Sequence, residues 1–95
     1  MSNYIEVNDR IAFHPGYYIQ ELVEDSGLTQ EEFAKRLGIS VKLLSSVIQG
    51  EESLSEGIAM KLSCMMGTST DAWLNLQKQF DAMFAQNIID RNVSL

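Results

Sequence analysis

Cysteine is nearly missing: Cys64 stands alone, so no internal disulfide can form and a reducing cytoplasm is the expected setting. Lying in an apolar stretch, it reads as a small core residue rather than a nucleophile. Proline is as scarce, with one residue, and most glycines fall at apparent helix ends, which favours an all-α chain. No apolar run approaches the roughly 20 residues of a membrane span. The N-terminus also lacks the basic-then-apolar order of a secretion signal. With one histidine, His14, and one cysteine, the common catalytic constellations lack their parts, and the sequence shows no Cys/His cluster and no Ser-His-Asp set. There are no paired carboxylates in apolar surroundings, no glycine-rich phosphate loop, no repeat and no low-complexity linker. An enzyme is therefore the weakest class, and no cofactor, metal, membrane or small-molecule substrate is implied. Positive charge is short as well: 7 Lys and Arg against 13 Asp and Glu leave a net −6, a poor balance for holding a polyanion. Ninety-five residues suffice for one domain with a single modest core.

The chain is organised around residues 29–50, TQEEFAKRLGISVKLLSSVIQG. Thr29 with Glu32 three places on forms a capping box, in which hydroxyl and carboxylate each satisfy an orphan backbone N–H. Phe33, Ala34 and Leu37 then share one helical face. Gly38 stops that helix, Ser40 caps the next, and Leu44, Val47 and Ile48 form the second apolar stripe before Gly50. Ala34 is small where two helices must cross, and Ile39, Leu44 and Val47 lock the second helix on the first. The pattern is a helix-turn-helix, whose second helix enters a DNA major groove. A plain helical hairpin with no DNA role is the alternative. The charges within the stretch, Glu31, Glu32, Lys35, Arg36 and Lys42, sum to +1, but Glu51 and Glu52 follow at once.

Upstream, residues 1–13 mix Tyr4, Ile5, Val7, Ile11 and Phe13 with polar neighbours, consistent with an extended arm or a short strand. His14-Pro15-Gly16 opens a first helix, with proline suited to the first turn. That helix carries Ile19, Leu22 and Val23 inward and Glu21, Glu24 and Asp25 outward, and ends near Gly27. Downstream, Leu54 is an apolar plug and Ser55 caps a fourth helix with Ile58, Ala59, Leu62 and Met66 inward. After Gly67, Ser69 or Thr70 starts a fifth, with Asp71 favoured by the helix dipole. This last helix carries Trp73, Leu76, Phe80, Met83 and Phe84 along a seam. Its first part can be buried within the chain, whereas Phe80, Met83 and Phe84 suit either an ordinary core or a contact between two copies. A tail is expected over residues 88–95, leaving 14–87 as the folded domain.

From His14 to about Phe84 the sequence resembles the HigA antitoxins, the plasmid-maintenance antidote subgroup of the Xre-like, or lambda-repressor-like, family. The resemblance rests on His14-Pro15-Gly16, Leu28-Thr29-Gln30, Ala59-Met60-Lys61-Leu62-Ser63, Gly67-Thr68-Ser69 and Trp73-Leu74-Asn75-Leu76-Gln77. It implies a five-helix DNA-binding domain and a homodimer joined through its C-terminal helices. It further implies a palindromic double-stranded DNA operator through which the protein represses its own operon. The implied partner is a RelE/HigB-like toxin, a ribosome-dependent messenger-RNA endonuclease. Two departures bear on DNA. Leu43 stands where the family commonly has arginine, and Gln49-Gly50-Glu51-Glu52 replaces Asn-Gly-Lys-Arg. They remove a base-reading guanidinium and a pair of phosphate contacts. Glu56 and Thr70 replace prolines at helix starts, with little consequence.

The residues left pointing outward by the apolar stripe are Val41, Lys42, Leu43, Ser45, Ser46 and Gln49, with Ser40 at the cap and Gln30 at the preceding helix's N-terminus. Gln49 suits a bidentate bond to adenine, Lys42 a guanine or phosphate, and Val41 or Leu43 a thymine methyl. Gln30 suits a phosphate. The exposed acids Glu21, Glu24, Asp25, Glu51 and Glu52 are candidate contacts for a basic toxin. A stand-alone regulator of a phage or mobile element, or a helix-turn-helix interaction module with little DNA binding, are the competing readings.

Overall fold

Every helix begins at a side chain that caps it. His14, Thr29, Ser40 and Ser55 accept from the backbone N–H of Gly16, Glu32, Leu43 and Ile58, and the Ser69 hydroxyl accepts from Ala72 N–H at 3.0 Å. Each such cap is worth about 1 kcal/mol. The computed structural model describes the backbone of residues 4–7 and 10–93, and the side-chain surroundings within that set except Val7 and residues beyond Gln86. The order is β1 (Tyr4–Val7), β2 (Arg10–Phe13), α1 (Pro15–Ser26), α2 (Gln30–Leu37), α3 (Val41–Ile48), α4 (Glu56–Met66) and α5 (Thr70–Val93). Five helices and the central pair match the expected fold class.

The N-terminal arm is extended, as the sequence suggests, but doubles back on itself. β1 and β2 pair antiparallel with Tyr4 opposite Phe13 and Ile5 opposite Ala12, and both strands lie against α5. A two-stranded ribbon is marginal alone; here Phe13 stacks on Tyr17 of α1 at 4.5 Å between ring centroids. At the other end, α5 passes through residue 87, where a tail is suggested, and runs to Val93.

The core gathers Ile19, Phe33, Ala34, Leu37, Leu44, Val47, Ile58, Leu62 and Trp73 from all five helices. Buried polar groups are paired. The Trp73 indole donates to the Thr68 hydroxyl at 2.8 Å. Gln77, which the apolar pattern of α5 passes over, is buried; its side-chain oxygen accepts from Leu54 N–H at 2.8 Å and its amide donates to Asp81 at 2.9 Å. It ties the segment after α3 to α5.

Two expectations for α4 fail. Cys64 is exposed, not a core residue, because Ile58, Ala59 and Leu62 already form the buried face and position 64 lies well round the helix from Leu62. Met66 is 41% exposed; as the last residue of α4 it reaches a cleft edge beside Leu28 and Phe33 instead of the core.

Gly16 sets the tightest approach in the fold. A Cβ built there would collide with the Val47 carbonyl oxygen and stand 2.8 Å from the Ile48 Cα, so the start of α1 touches the backbone of the last turn of α3. Gly57 meets nothing closer than 3.9 Å. Gly16→Ala is therefore expected to cost about 3 kcal/mol or more, whereas Gly57→Ala is neutral or stabilises by up to about 1 kcal/mol. Urea unfolding of the two variants checks the contrast; equal stabilities would contradict the packing.

Candidate nucleic-acid interface

The α2–turn–α3 unit is built as its sequence requires. Both halves of the Thr29–Glu32 capping box are present. The bonds from Thr29 hold the Glu32 carboxyl below the usual glutamate range. At the corner Gly38 adopts φ 86°, a left-handed conformation open to glycine at no steric cost. The N–H groups of Gly38 and Ile39 both reach the Ala34 carbonyl, at 2.9 and 3.0 Å. Leu44, Val47 and Ile48 are buried beneath α3, which fixes its opposite face outward.

On that face Val41, Lys42 and Gln49 are exposed, and Val41 is the most conspicuous apolar side chain on α3 at 44%. Ser45 and Ser46 are half-buried, and the Gln49 amide donates to the Ser45 hydroxyl at 3.3 Å. Ser40 is exposed with its hydroxyl accepting from Leu43 N–H at 3.1 Å, so its side chain is engaged in the cap. Leu43 is not fully outward: it is half-buried and leans on the core. Gln30 is half-buried in the first turn of α2. Phe80, Met83 and Phe84 lie on α5 instead. Phe80 stacks near Phe84 at 6.3 Å between centroids, Phe84 is 48% exposed, and Met83 faces a groove beside β2.

Directly after α3 the chain coils tightly. The N–H groups of Glu51 and Glu52 both donate to the Ser46 carbonyl, at 2.9 and 3.3 Å, which holds these two exposed acids next to the α3 C-terminus. Their negative charge repels a phosphate backbone.

What keeps α3 in this pose includes residues that the motif alone does not mark. His14 is 2% exposed. Its Nδ1 accepts from Gly16 N–H at 3.0 Å, the backbone carbonyl of Glu52 bonds the ring, and Phe80 meets it edge-on at 5.1 Å. With Nδ1 accepting, the ring proton belongs on Nε2. One imidazole thus joins the start of α1, the segment after α3, and α5. The His14-Pro15-Gly16 string marks a helix entrance in sequence; the distant partners do not show there.

The comparisons with known proteins agree with this geometry. A helix-turn-helix family model matches residues 19–73. An uncharacterized HTH-type transcriptional regulator, YddM of Escherichia coli (strain K12), is 33% identical over 76 residues, covering 80% of this chain and 81% of the relative. Antitoxin HigA-1 of Vibrio cholerae serotype O1 is 30% identical over 67 residues, covering 70% of this chain and 63% of that protein. A crystal structure from Nostoc punctiforme, assigned as an antidote protein of a plasmid maintenance system, superposes with a TM-score of 0.84 at 30% identity, over 87% of this chain and 91% of its own. Among the described residues no helix is long and apolar enough to cross a membrane.

Burial holds the His14 pKa below its ordinary value of 6.5, outweighing the opposing pull of Asp81 and the Glu52 carbonyl. The folded state therefore binds fewer protons than the unfolded one as pH falls past that value. The stabilising contribution is complete above pH 6.5 and is lost progressively as pH descends through the lower folded-state pKa. Melting temperatures at pH 7.5 and 5.5 are expected to fall more for the native chain than for His14→Asn, which keeps a capping acceptor without the titration. Parallel losses in both would contradict the assignment.

Proposed function

The chain belongs to the helix-turn-helix family of the Xre type and counts HigA antitoxins among its relatives, and on that basis we propose that it is an antitoxin that represses its own operon. In this reading a homodimer inserts two copies of α3 into successive major grooves of a palindromic operator, roughly 34 Å apart. A separate surface neutralises a RelE/HigB-like messenger-RNA endonuclease toxin. The observation that carries the DNA-binding half is the outward face of α3, where Val41, Lys42 and Gln49 stand exposed over a buried stripe of Leu44, Val47 and Ile48.

Gln49 is the base-reading candidate and Lys42 the phosphate-facing one, with Ser40, Leu43, Ser45, Ser46 and Gln30 supplying further contacts. For the dimer, Phe84 on α5 offers a large ring left in water beside Phe80 and Met83. For the toxin, the exposed Glu21, Glu24, Asp25, Glu51 and Glu52 suit a basic partner. The half-buried Leu43 and the acids beyond α3 favour a second reading, an interaction module that binds DNA weakly. A stand-alone regulator shares the fold and the DNA role but has no toxin.

Mobility shift at low salt with the chain's own upstream DNA, paired with co-purification of the product of a neighbouring small basic reading frame, separates the three. The antitoxin yields both a shift and a complex, the stand-alone regulator a shift alone, and the interaction module little or no shift even at low salt. Within the shift assay, Gln49→Ala is expected to erode discrimination between operator and random DNA by about 1–3 kcal/mol. Lys42→Ala should weaken binding to all sequences and flatten the salt dependence by about one ion. Replacing Glu51 and Glu52 by lysine should tighten binding to both DNAs and steepen that dependence. Equal losses on both DNAs for Gln49→Ala would remove its base-reading role.

A further inference from the structure

α4 packs chiefly on α5 and meets α2 only in part, leaving between α2 and α4 a groove of about 620 Å³ that neither the DNA face nor the acidic patches use. Its floor is a single stripe of α4. Gly57, Met60, Lys61 and Cys64 recur at i, i+3, i+4 and i+7, the spacing with which one helix face receives another. A Cβ at Gly57 would meet only the Ser55 hydroxyl, at 3.9 Å, so a partner backbone can come close there. Met60 is 53% exposed and Cys64 is exposed. Thioether and thiol side chains give a soft, adaptable apolar surface of the kind used to receive partner helices.

Charge identifies the occupant. The chain carries a net −6, yet the residues lining this groove include Arg36 and Lys61 and no carboxylate. The Lys61 ammonium lies 3.2 Å from where a Gly38 Cβ would stand, at the C-terminal end of α2, where the helix dipole favours a cation. Arg36 and Met65 also line a neighbouring cleft of about 330 Å³ beside Leu28, Phe33 and Met66, in which Asp25 is the one carboxylate. DNA would answer the two cations but leave Met60, Cys64 and Met65 uncovered. The acidic face of this chain's own α1 brings no large exposed apolar side chain to fill the stripe.

We propose that the α2–α4 groove binds an amphipathic helix of a partner protein, with apolar side chains at i, i+4 and i+7 seated on Met60, Cys64 and Met65 and carboxylates flanking them toward Arg36 and Lys61. This partner is opposite in character to the basic toxin inferred above, and the proposal stands whether or not that toxin exists.

Cys64, the only cysteine, sits in the groove and serves as a native reporter. The full chain is mixed with a fluorescein-labelled amphipathic peptide of about four helical turns, leucines at i, i+4 and i+7 flanked by glutamates. A second peptide carries lysines in place of the glutamates. The glutamate peptide should bind and slow iodoacetamide alkylation of Cys64 by about tenfold, and the lysine peptide should bind at least about tenfold more weakly. Met60→Glu, and separately the pair Arg36→Glu and Lys61→Glu, should each weaken the glutamate peptide by about tenfold. All these positions are exposed, so thermal melts followed by circular dichroism should show the variants folded. Equal affinity for both peptides, or binding that leaves Cys64 reactive, would overturn the proposal. So would Cys64 protection that grows with protein concentration alone, which marks a second copy as the occupant. Protection by duplex DNA that is lost in Arg36→Glu/Lys61→Glu would overturn it in favour of nucleic acid.

Discussion

The structure depends on one close crossing, the start of α1 set against the last turn of α3 at Gly16. No side chain fits between them: even a methyl group would meet the Val47 carbonyl and the Ile48 backbone. The contact also brings the electropositive beginning of one helix to the electronegative end of another, so the two macrodipoles attract. His14 seals the junction by capping α1, bonding the Glu52 carbonyl and packing on Phe80. A helix of eight residues such as α3 is far too short to be stable alone. Its pose is set by this junction and by the Gly38 corner at its other end.

That rigid pose carries a mixed electrostatic message. Lys42 stands on the outer face of α3, while Glu51 and Glu52 are clamped to its C-terminal end by bonds to the Ser46 carbonyl. Non-specific affinity for duplex DNA comes largely from neutralised phosphates. With net −6 this chain has little of that to offer, so any preference for an operator must rest on shape and base contacts more than on bulk charge. Two copies acting together would double the contacts without changing this balance.

Local chemistry was the legible part. The capping box at Thr29 and Glu32, the caps at Ser40 and Ser55, the corner at Gly38 and the buried stripe of Leu44, Val47 and Ile48 follow from residues within one turn of each other. What escaped depends on pairs distant in the chain. Gly16 against residues 47 and 48, His14 against Glu52 and Phe80, and Gln77 against Leu54 have no local signature. The hairpin was ambiguous because four-residue strands offer too little alternation to distinguish pairing from an extended arm. The exposure of Cys64 and Met66 is not legible in the sequence, because apolar character in a helix does not say which face is left open once Ile58, Ala59 and Leu62 have filled the core. For the candidate site, the sequence identified the outward face of α3, while the inward lean of Leu43 and the engagement of the Ser40 hydroxyl required the packing to be seen.

α3, held in place at Gly16, is proposed as the surface that meets duplex DNA. The most direct measurement is a two-dimensional amide NMR titration of the labelled chain with its own upstream duplex at low salt. The largest shifts should fall on residues 41–49 and on Gln30, with Gly16, His14 and the buried face of α4 nearly unmoved. Shifts concentrated on α4 or α5 with α3 silent, or broad changes at Gly16 that signal a rearranged α1–α3 junction, would contradict it.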